Sequence, residues 1–300
     1  MTKKEQQERA QQLINIYSGI LFNNRQFDIG NNEKIIYRFD CPEFVILKDK
    51  YNLEEVAGSG SDFDKAKRLL HYFATRLAHS SWYDNSIPCN SLDLLEYSLN
   101  RPERGINCLN KSKILQECCL AMGIYARRVC MKPYSPYDFD NHVVTEIYDR
   151  KLNKWIMLDV TTDGLFVNEN GIPLSLLEIR EGFANSKFIT YIYTTDNLNN
   201  LRKLKDKYVE HNAYICKNLF GFYIDQNSTF GETERFLTFV PINYSIKENL
   251  IANVKYRIKN LPEEHKKFIL QLEEQLEQLK NYKENERTSI DSMMGSPIIF

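Results

Sequence analysis

The chain has 300 residues, of which 43% are hydrophobic, and its 39 Lys and Arg residues nearly balance its 40 Asp and Glu residues, giving a formal net charge of −1. This length and composition can bury one large core or two modest ones, and the near-neutral charge argues against nucleic acid or an anionic membrane as the main partner. The 7 cysteines are odd in number and lack CxxC spacing, which favours a reducing compartment and argues against structural zinc. We therefore expect a cytoplasmic protein that needs no metal or other cofactor.

Residues 1–57 are predicted to be an N-terminal extension with a helix and a strand. Residues 1–22 have the pattern of an amphipathic helix, and residues 34–47 have β character that Pro42 interrupts. The apolar stretch over residues 13–22 contains polar interruptions, so it favours neither a signal peptide nor a membrane span.

Two helical patterns follow the glycine- and serine-rich loop at residues 58–62. Ser61 or Asp62 can cap the first helix, which continues with helical spacing of its apolar residues to Leu77. A shorter helix is predicted over residues 92–97. The shorter helix leads into the turn at residues 102–105, which precedes the segment with the candidate catalytic residues.

Cys108 stands at the start of the next predicted helix. Asn107 can cap this helix, apolar residues recur at helical spacing from Ile114 to Met122, and Gly123 supplies a stop. The pattern predicts a helix of about four turns with Cys108 in the first turn. Unpaired N–H groups at that end favour an anion such as a thiolate, which is the reactive form of a thiol, and can also hold the oxyanion of a tetrahedral intermediate.

Three strand-like runs come next, over residues 124–131, 142–148 and 155–160. The last two are joined by a short polar link and predict an antiparallel hairpin. Opposed residues in a hairpin have position numbers with a constant sum. An odd sum, such as 301 or 303, places His142 and Asp159 on one face as neighbours, whereas an even sum separates them.

Four segments around these residues form a recognisable pattern. They read Gly105-Ile106-Asn107-Cys108, Gly123-Ile124-Tyr125-Ala126-Arg127-Arg128-Val129, Asn141-His142-Val143 and Trp155-Ile156-Met157-Leu158-Asp159. Over about residues 60–165 the chain resembles the transglutaminase-like superfamily, and within it an uncharacterised bacterial branch. It departs from the usual Gly-x-Cys by one inserted residue, and Val143 replaces an aromatic that often follows the histidine.

The resemblance implies an α+β, papain-like fold in which the nucleophile helix packs on an antiparallel sheet. We place this catalytic core at residues 58–200. Cys108 would attack a carboxamide and form a thioester, His142 would take the thiol proton and later protonate the leaving amine, and Asp159 would hold the imidazole. Water as second nucleophile gives hydrolysis and an amine gives transamidation. A protease, an amidase and a transamidase therefore all remain open, with a protein or peptide as substrate.

Other residues are candidates for the oxyanion hole or the substrate groove. One oxyanion donor is the backbone N–H of Cys108, beside Asn107, and Trp82 lies upstream, as does a tryptophan used in this way in some transglutaminases. In the loop before the histidine, Tyr134, Tyr137 and Phe139 can line a groove, although ordinary loop packing explains them equally well.

Plainer explanations exist for individual residues. A cysteine in such a chain is most often a small buried apolar residue, which fits Cys118, Cys119 and Cys130. Four histidines lack a partner pattern and are expected to be structural: His71, His79, His211 and His265.

The remaining residues, 201–300, are predicted to be a helix-rich C-terminal region. Residues 196–222 have a mostly helical pattern. A helical pair is predicted over residues 247–258 and 263–282, and the second helix carries apolar residues in 3-4-3 spacing. Two heptads are too few for a coiled coil, so packing within the domain is favoured over dimerisation. Residues 284–300 are either a tail or a segment docked on a groove.

This C-terminal region motivates a second hypothesis, a non-catalytic binding or scaffolding protein that keeps the fold without turnover. An open cleft over Cys108 would favour the enzyme, and a cleft filled by the chain's own residues would favour the binder. A third hypothesis is a peptide N-glycanase-like amidase, but the zinc-binding cysteines that usually accompany that activity are absent from the sequence.

Overall fold

The computed structural model describes residues 2–30, 33–281 and 287–297. The helices are α1 (Lys3–Asn23), α2 (Pro42–Tyr51), α3 (Leu53–Ala57), α4 (Asp62–Ala74), α5 (Ser91–Asn100), α6 (Cys108–Ala121), α7 (Leu176–Ala184), α8 (Leu201–Lys207), α9 (Val209–Asn218), α10 (Ile246–Asn260), α11 (Lys266–Lys280) and α12 (Asp291–Met294).

The strands form one large sheet and two small ones. They are β1 (Ile36–Tyr37), β2 (Ala126–Lys132), β3 (His142–Asp149), β4 (Lys154–Leu158), β5 (Gly164–Asn168), β6 (Ile189–Tyr193), β7 (Gly221–Asp225), β8 (Asn227–Ser228) and β9 (Phe236–Phe239). The large sheet is antiparallel with the order β4-β3-β2-β7-β9, while β1 pairs with β8 and β5 pairs with β6.

Helix α6 lies across β2 and β3 and is buried along most of its length. Its apolar residues pack into the core beside α4 and α5, as the helical spacing in the sequence predicts. Two side-chain hydrogen bonds then fix α6 to β3: the Ser112 hydroxyl donates to the Val143 carbonyl at 2.8 Å, and the Thr145 hydroxyl donates to the Ser112 carbonyl at 3.0 Å. This pairing sets the start of α6 beside the start of β3.

Apolar residues cover both faces of the central sheet. One core contains side chains of α4, α5 and α6, and the other contains side chains of α1, α7 and α9. Strand β3 is buried at every position because it runs between these two layers. The protein therefore has the expected α+β, papain-like arrangement, with helix α6 packed on an antiparallel sheet.

The predicted β character of residues 34–47 is mostly wrong. Only Ile36–Tyr37 is a strand, and Pro42 begins α2 instead of interrupting a strand. Proline suits the first position of a helix because its missing N–H would have no partner there and its fixed φ is helical. The helical prediction for residues 196–222 is also wrong at its end, where Gly221 begins β7.

The end of the chain packs on the sheet where the structure describes it. Met293 is 1% exposed, and its carbonyl accepts a hydrogen bond from Arg127 of β2 at 2.8 Å. The Trp155 indole N–H donates to the Gly295 carbonyl at 3.0 Å. Of the two predictions for residues 284–300, a tail or a docked segment, the docked segment is confirmed for residues 287–297. Residues 284–286 and 298–300 lie outside the described residues.

The predicted boundaries at residues 57 and 200 stay predictions. Strands from both sides of residue 200 share the central sheet, because β7 pairs with β2.

Helices α10 and α11 pack against each other through a small apolar cluster that includes Val254, Leu272 and Leu279.

Candidate active site

Cys108 is the first residue of α6, half-buried at the helix N-terminus. Asn107 caps the helix, and its side-chain oxygen accepts the backbone N–H of Asn110 at 3.2 Å. The chain reaches this point beside His79, with Ile106 bridging to it. A Cβ placed on Gly105 would lie 2.5 Å from the His79 carbonyl carbon. Close backbone contact therefore requires glycine at 105, two residues before the cap.

His142 and Asp159 meet through the hairpin of β3 and β4. Thr145 faces Leu158, and these position numbers sum to 303, one of the two registers that the sequence predicts. The Nε2 atom of His142 lies 2.8 Å from the Asp159 carboxylate. Asp159 also forms two backbone hydrogen bonds with Gly164, and its second oxygen accepts the Thr161 N–H at 2.9 Å. One hydrogen bond thus orients each carboxylate oxygen, and two more fix the backbone of Asp159.

The electrostatics of the pair favour a charged imidazole. Burial alone would lower the pKa of His142, but the charge and hydrogen bond of Asp159, with a hydrogen bond to Cys108, raise it to about 10. Burial would raise the pKa of Asp159, but the nearby His142 outweighs burial and lowers it to about 2. Since Nε2 contacts the carboxylate, Nδ1 is the ring nitrogen left for the sulfur of Cys108.

An open cleft of about 850 Å³ lies over these three residues. The predicted Trp82 and Asn107 also line this cleft, but Trp82 is 96% exposed. The predicted Tyr134 and Tyr137 do not line it: Tyr134 packs on the ring of Phe220, and Tyr137 packs on the ring of Tyr256. A substrate role for these two tyrosines stays a prediction. Phe139, the third aromatic predicted from the same loop, does line the cleft.

Asn85 is a further residue of the cleft that the sequence reasoning did not single out. Its side-chain oxygen accepts hydrogen bonds from Asn107 at 3.0 Å and from Asn110 at 2.8 Å. Its φ is +54°, in the left-handed region that asparagine tolerates better than most residues. Asn85 therefore fixes the cap of α6, and the sequence signal for it is only an asparagine in a turn-rich loop.

Helix α9 supplies one wall of the cleft. The ring of Tyr214 lies edge-on to His142 at 5.3 Å between centroids, and its hydroxyl donates to Asp140 at 3.3 Å. His211 also lines the cleft, stacks on Tyr191 at 4.3 Å and contacts the Thr162 hydroxyl at 3.3 Å. Both residues lie about a hundred positions after Cys108 in the sequence, and no local sequence pattern predicts that they line the cleft.

Two findings concern the described residues as a set. They contain no group of three or more His, Cys, Asp or Glu side chains placed to hold a metal ion. No helix within residues 2–30, 33–281 and 287–297 is both long and apolar enough to cross a membrane.

Comparison with known proteins gives one family and one structure. Residues 50–160 match the model of the Transglutaminase-like superfamily. No curated protein matches the chain. A solved structure described as "a Putative Cysteine Protease from Cytophaga hutchinsonii" is 18% identical with a TM-score of 0.31, and the alignment covers 49% of this chain and 46% of that one. The chain thus spans under half of that protein. Residues 50–160 of this chain are a domain of the transglutaminase-like superfamily.

Proposed function

We propose that the protein is a thiol-dependent enzyme that forms a thioester on Cys108 and transfers or hydrolyses the acyl group of a carboxamide or peptide bond. One observation carries this proposal: a buried imidazole lies between a buried carboxylate at 2.8 Å and a half-buried thiol at a helix N-terminus. A structural histidine needs only one partner, whereas this ring has an acid on one side and a nucleophile on the other.

The first half-reaction follows from the position of the proton. His142 favours its charged form, so the sulfur of Cys108 faces an imidazolium. The thiolate attacks the carbonyl carbon of the carboxamide, and a tetrahedral intermediate forms with the negative charge on oxygen. His142 then gives its proton to the nitrogen of the leaving amine or ammonia as the C–N bond breaks, which leaves a thioester on Cys108.

The oxyanion would be held at the start of α6. No acceptor contacts the backbone N–H of Cys108 among the residues that the structure describes. This N–H belongs to the first turn, where the helix dipole also favours negative charge. Trp82 lines the same cleft and its indole N–H is a candidate second donor.

The second half-reaction returns the proton. Neutral His142 removes a proton from water or an amine, which attacks the thioester and releases Cys108 as a thiolate. The cleft of about 850 Å³ leaves room for either acceptor, so hydrolysis and transamidation are two outcomes of one site. The open cleft also supports the enzyme over a binding protein that covers its own thiol.

The test is covalent trapping in a cell extract. The wild-type protein and a Cys108→Ala variant are incubated with extract, and thioester adducts are identified by mass spectrometry after release with hydroxylamine. We expect hydroxylamine-sensitive acyl adducts on Cys108 and none on the variant. Equal adducts on both proteins would contradict the proposal. So would the absence of adducts on Cys108 in wild-type protein that retains the native fold.

A further inference from the structure

The cleft over Cys108 adjoins a second cavity of about 700 Å³. Four residues line both cavities and form their shared border: Leu109, Cys130, Lys132 and Val143. Leu109 follows Cys108 in α6, and the other three lie on β2 and β3. A ligand held at Cys108 would reach the second cavity by extending across this border.

Lys132 is the charged residue at this junction. Its ammonium lies 5.6 Å from the centroid of the Tyr223 ring, and no carboxylate contacts it within the described part of the chain. Other cations of the second cavity are paired, as Arg128 is with Asp225 at 3.1 Å. Lys132 is half-buried, so an anion bound there is less screened than on open surface.

Arg235, further into the second cavity, is paired as well, with Glu33 at 2.6 Å. Glu234 lines the second cavity but not the cleft with Cys108, and it is exposed. Of Lys132 and Glu234, it is therefore the cation that also lines the cleft over Cys108, and it complements an anionic group on a substrate.

The far wall of the second cavity is apolar and comes from the C-terminal region. Phe236 and Leu237 of β9 and Ile246 and Leu250 of α10 line it, and Phe236 is 52% exposed. All four lie outside the matched residues 50–160. The C-terminal region therefore adds a surface to the cleft that the transglutaminase-like domain does not itself contain.

We propose that the second cavity is a subsite that selects an extended peptide, in which a carboxylate close to the attacked carboxamide binds Lys132 and an apolar side chain beyond it packs on Phe236 and its neighbours. This subsite rests on the proposed function because it gives that reaction a substrate class. An extended peptide alternates its side chains, so a carboxylate and an apolar group at successive positions can meet different walls of one groove.

The experiment measures peptide binding, which needs no turnover. Fluorescent peptides that contain Gln followed by either Glu or Lys, and then Leu, are titrated into Cys108→Ala protein. We expect the Glu peptide to bind about threefold to fivefold tighter than the Lys peptide at low salt, in the range of a partly exposed ion pair. Adding Lys132→Glu should reverse this preference, and adding Lys132→Met should abolish it.

Lys203→Glu is the matched control, because Lys203 is exposed on α8 and lines neither cavity. It changes the net charge by the same amount and should leave the preference unchanged. The subsite is wrong if neither peptide binds, if the two bind equally, or if the Glu preference survives both Lys132 substitutions. Charge-dependent binding without any trapped thioester would refute the enzyme alone and leave the subsite standing.

Discussion

His142 is buried yet favours its charged form, a combination that is costly unless anionic groups surround the ring. Asp159 supplies most of that compensation, and Cys108 adds to it. A surface histidine would lose its proton near neutral pH. In the proposed reaction, His142 paired with Asp159 would stay charged over a wider pH range and so remain able to protonate a leaving amine.

The stability of the pair should depend on pH in a defined direction. The folded-state pKa of His142 is raised from 6.5 to about 10, so its stabilising contribution is complete below pH 6.5 and is lost as pH rises through 10. The advantage of the wild type over His142→Gln in free energy of unfolding should shrink by about 1 kcal/mol per pH unit across that window. Urea denaturation at pH 6 and pH 9 checks this. A difference that stays constant or grows with pH would contradict it.

Single residues differ in how far the sequence reveals them. Cys108, His142 and Asp159 stand at the ends of elements with clear periodic patterns, so their meeting follows from one helix and one hairpin register. Asn85 and His211 do not stand in such patterns, because each joins the cleft through tertiary packing alone. Tyr134 is the opposite case. It is close to His142 in sequence, but its ring packs on Phe220 and does not line the cleft.

At the level of elements, the position of Cys108 depends on how α6 is fixed to β3. Ser112 accepts from Thr145 through its carbonyl and donates to Val143 through its hydroxyl, and all three are buried. A sliding motion of α6 along β3 would break both bonds and leave buried polar groups unpaired, which is costly. These two bonds hold Cys108 in register with His142.

Ser112→Ala should therefore reduce the free energy of unfolding by about 1–2 kcal/mol, because the Val143 carbonyl loses a buried donor. Ser98→Ala is the matched control, since the Ser98 hydroxyl on α5 is buried with no hydrogen-bond partner among the described residues. Its replacement should change stability by less than about 0.5 kcal/mol. Equal losses in the two variants, measured by urea denaturation, would show that the bond to β3 does not matter.

The elements themselves were predictable where local chemistry agreed with the final packing. The Asn107 cap, the apolar spacing of α6 and Gly123 with its φ of +71° all act within one helix. The prediction for Pro42 was wrong because proline both interrupts strands and begins helices. Which of the two it does depends on the segment that follows it. Strand β7 begins at a glycine, and it forms there because β2 and β9 offer it partners on both sides.

For the molecule as a whole, the transglutaminase-like domain and the rest of the chain share one sheet. β7 and β9 extend that sheet beyond β2, and α9 covers the site next to His142. The buried Lys113–Glu117 pair at 3.2 Å links α6 to the later segment as well, since Lys113 donates to the Thr229 carbonyl and Glu117 accepts the Gly231 N–H. These hydrogen bonds join residues that are more than 100 positions apart, so the periodicity of the sequence does not predict them.

Shared cores predict cooperative unfolding. Trp155 is 4% exposed on β4, and its indole is bound to the end of the chain at Gly295. Its fluorescence should therefore report the same transition as the helical signal in far-ultraviolet circular dichroism, with coincident urea midpoints. Two separated midpoints would instead divide the chain into independent units near the predicted boundary at residue 200.

The most direct measurement on the central claim compares the seven cysteines under limiting iodoacetamide at pH 6, read out by peptide mass spectrometry. We expect Cys108 to react first, ahead of Cys41, which is also half-buried. We also expect His142→Ala to slow Cys108 by about tenfold and to leave Cys41 unchanged. A Cys108 that reacts no faster than Cys41, or that is indifferent to the loss of His142, would contradict it.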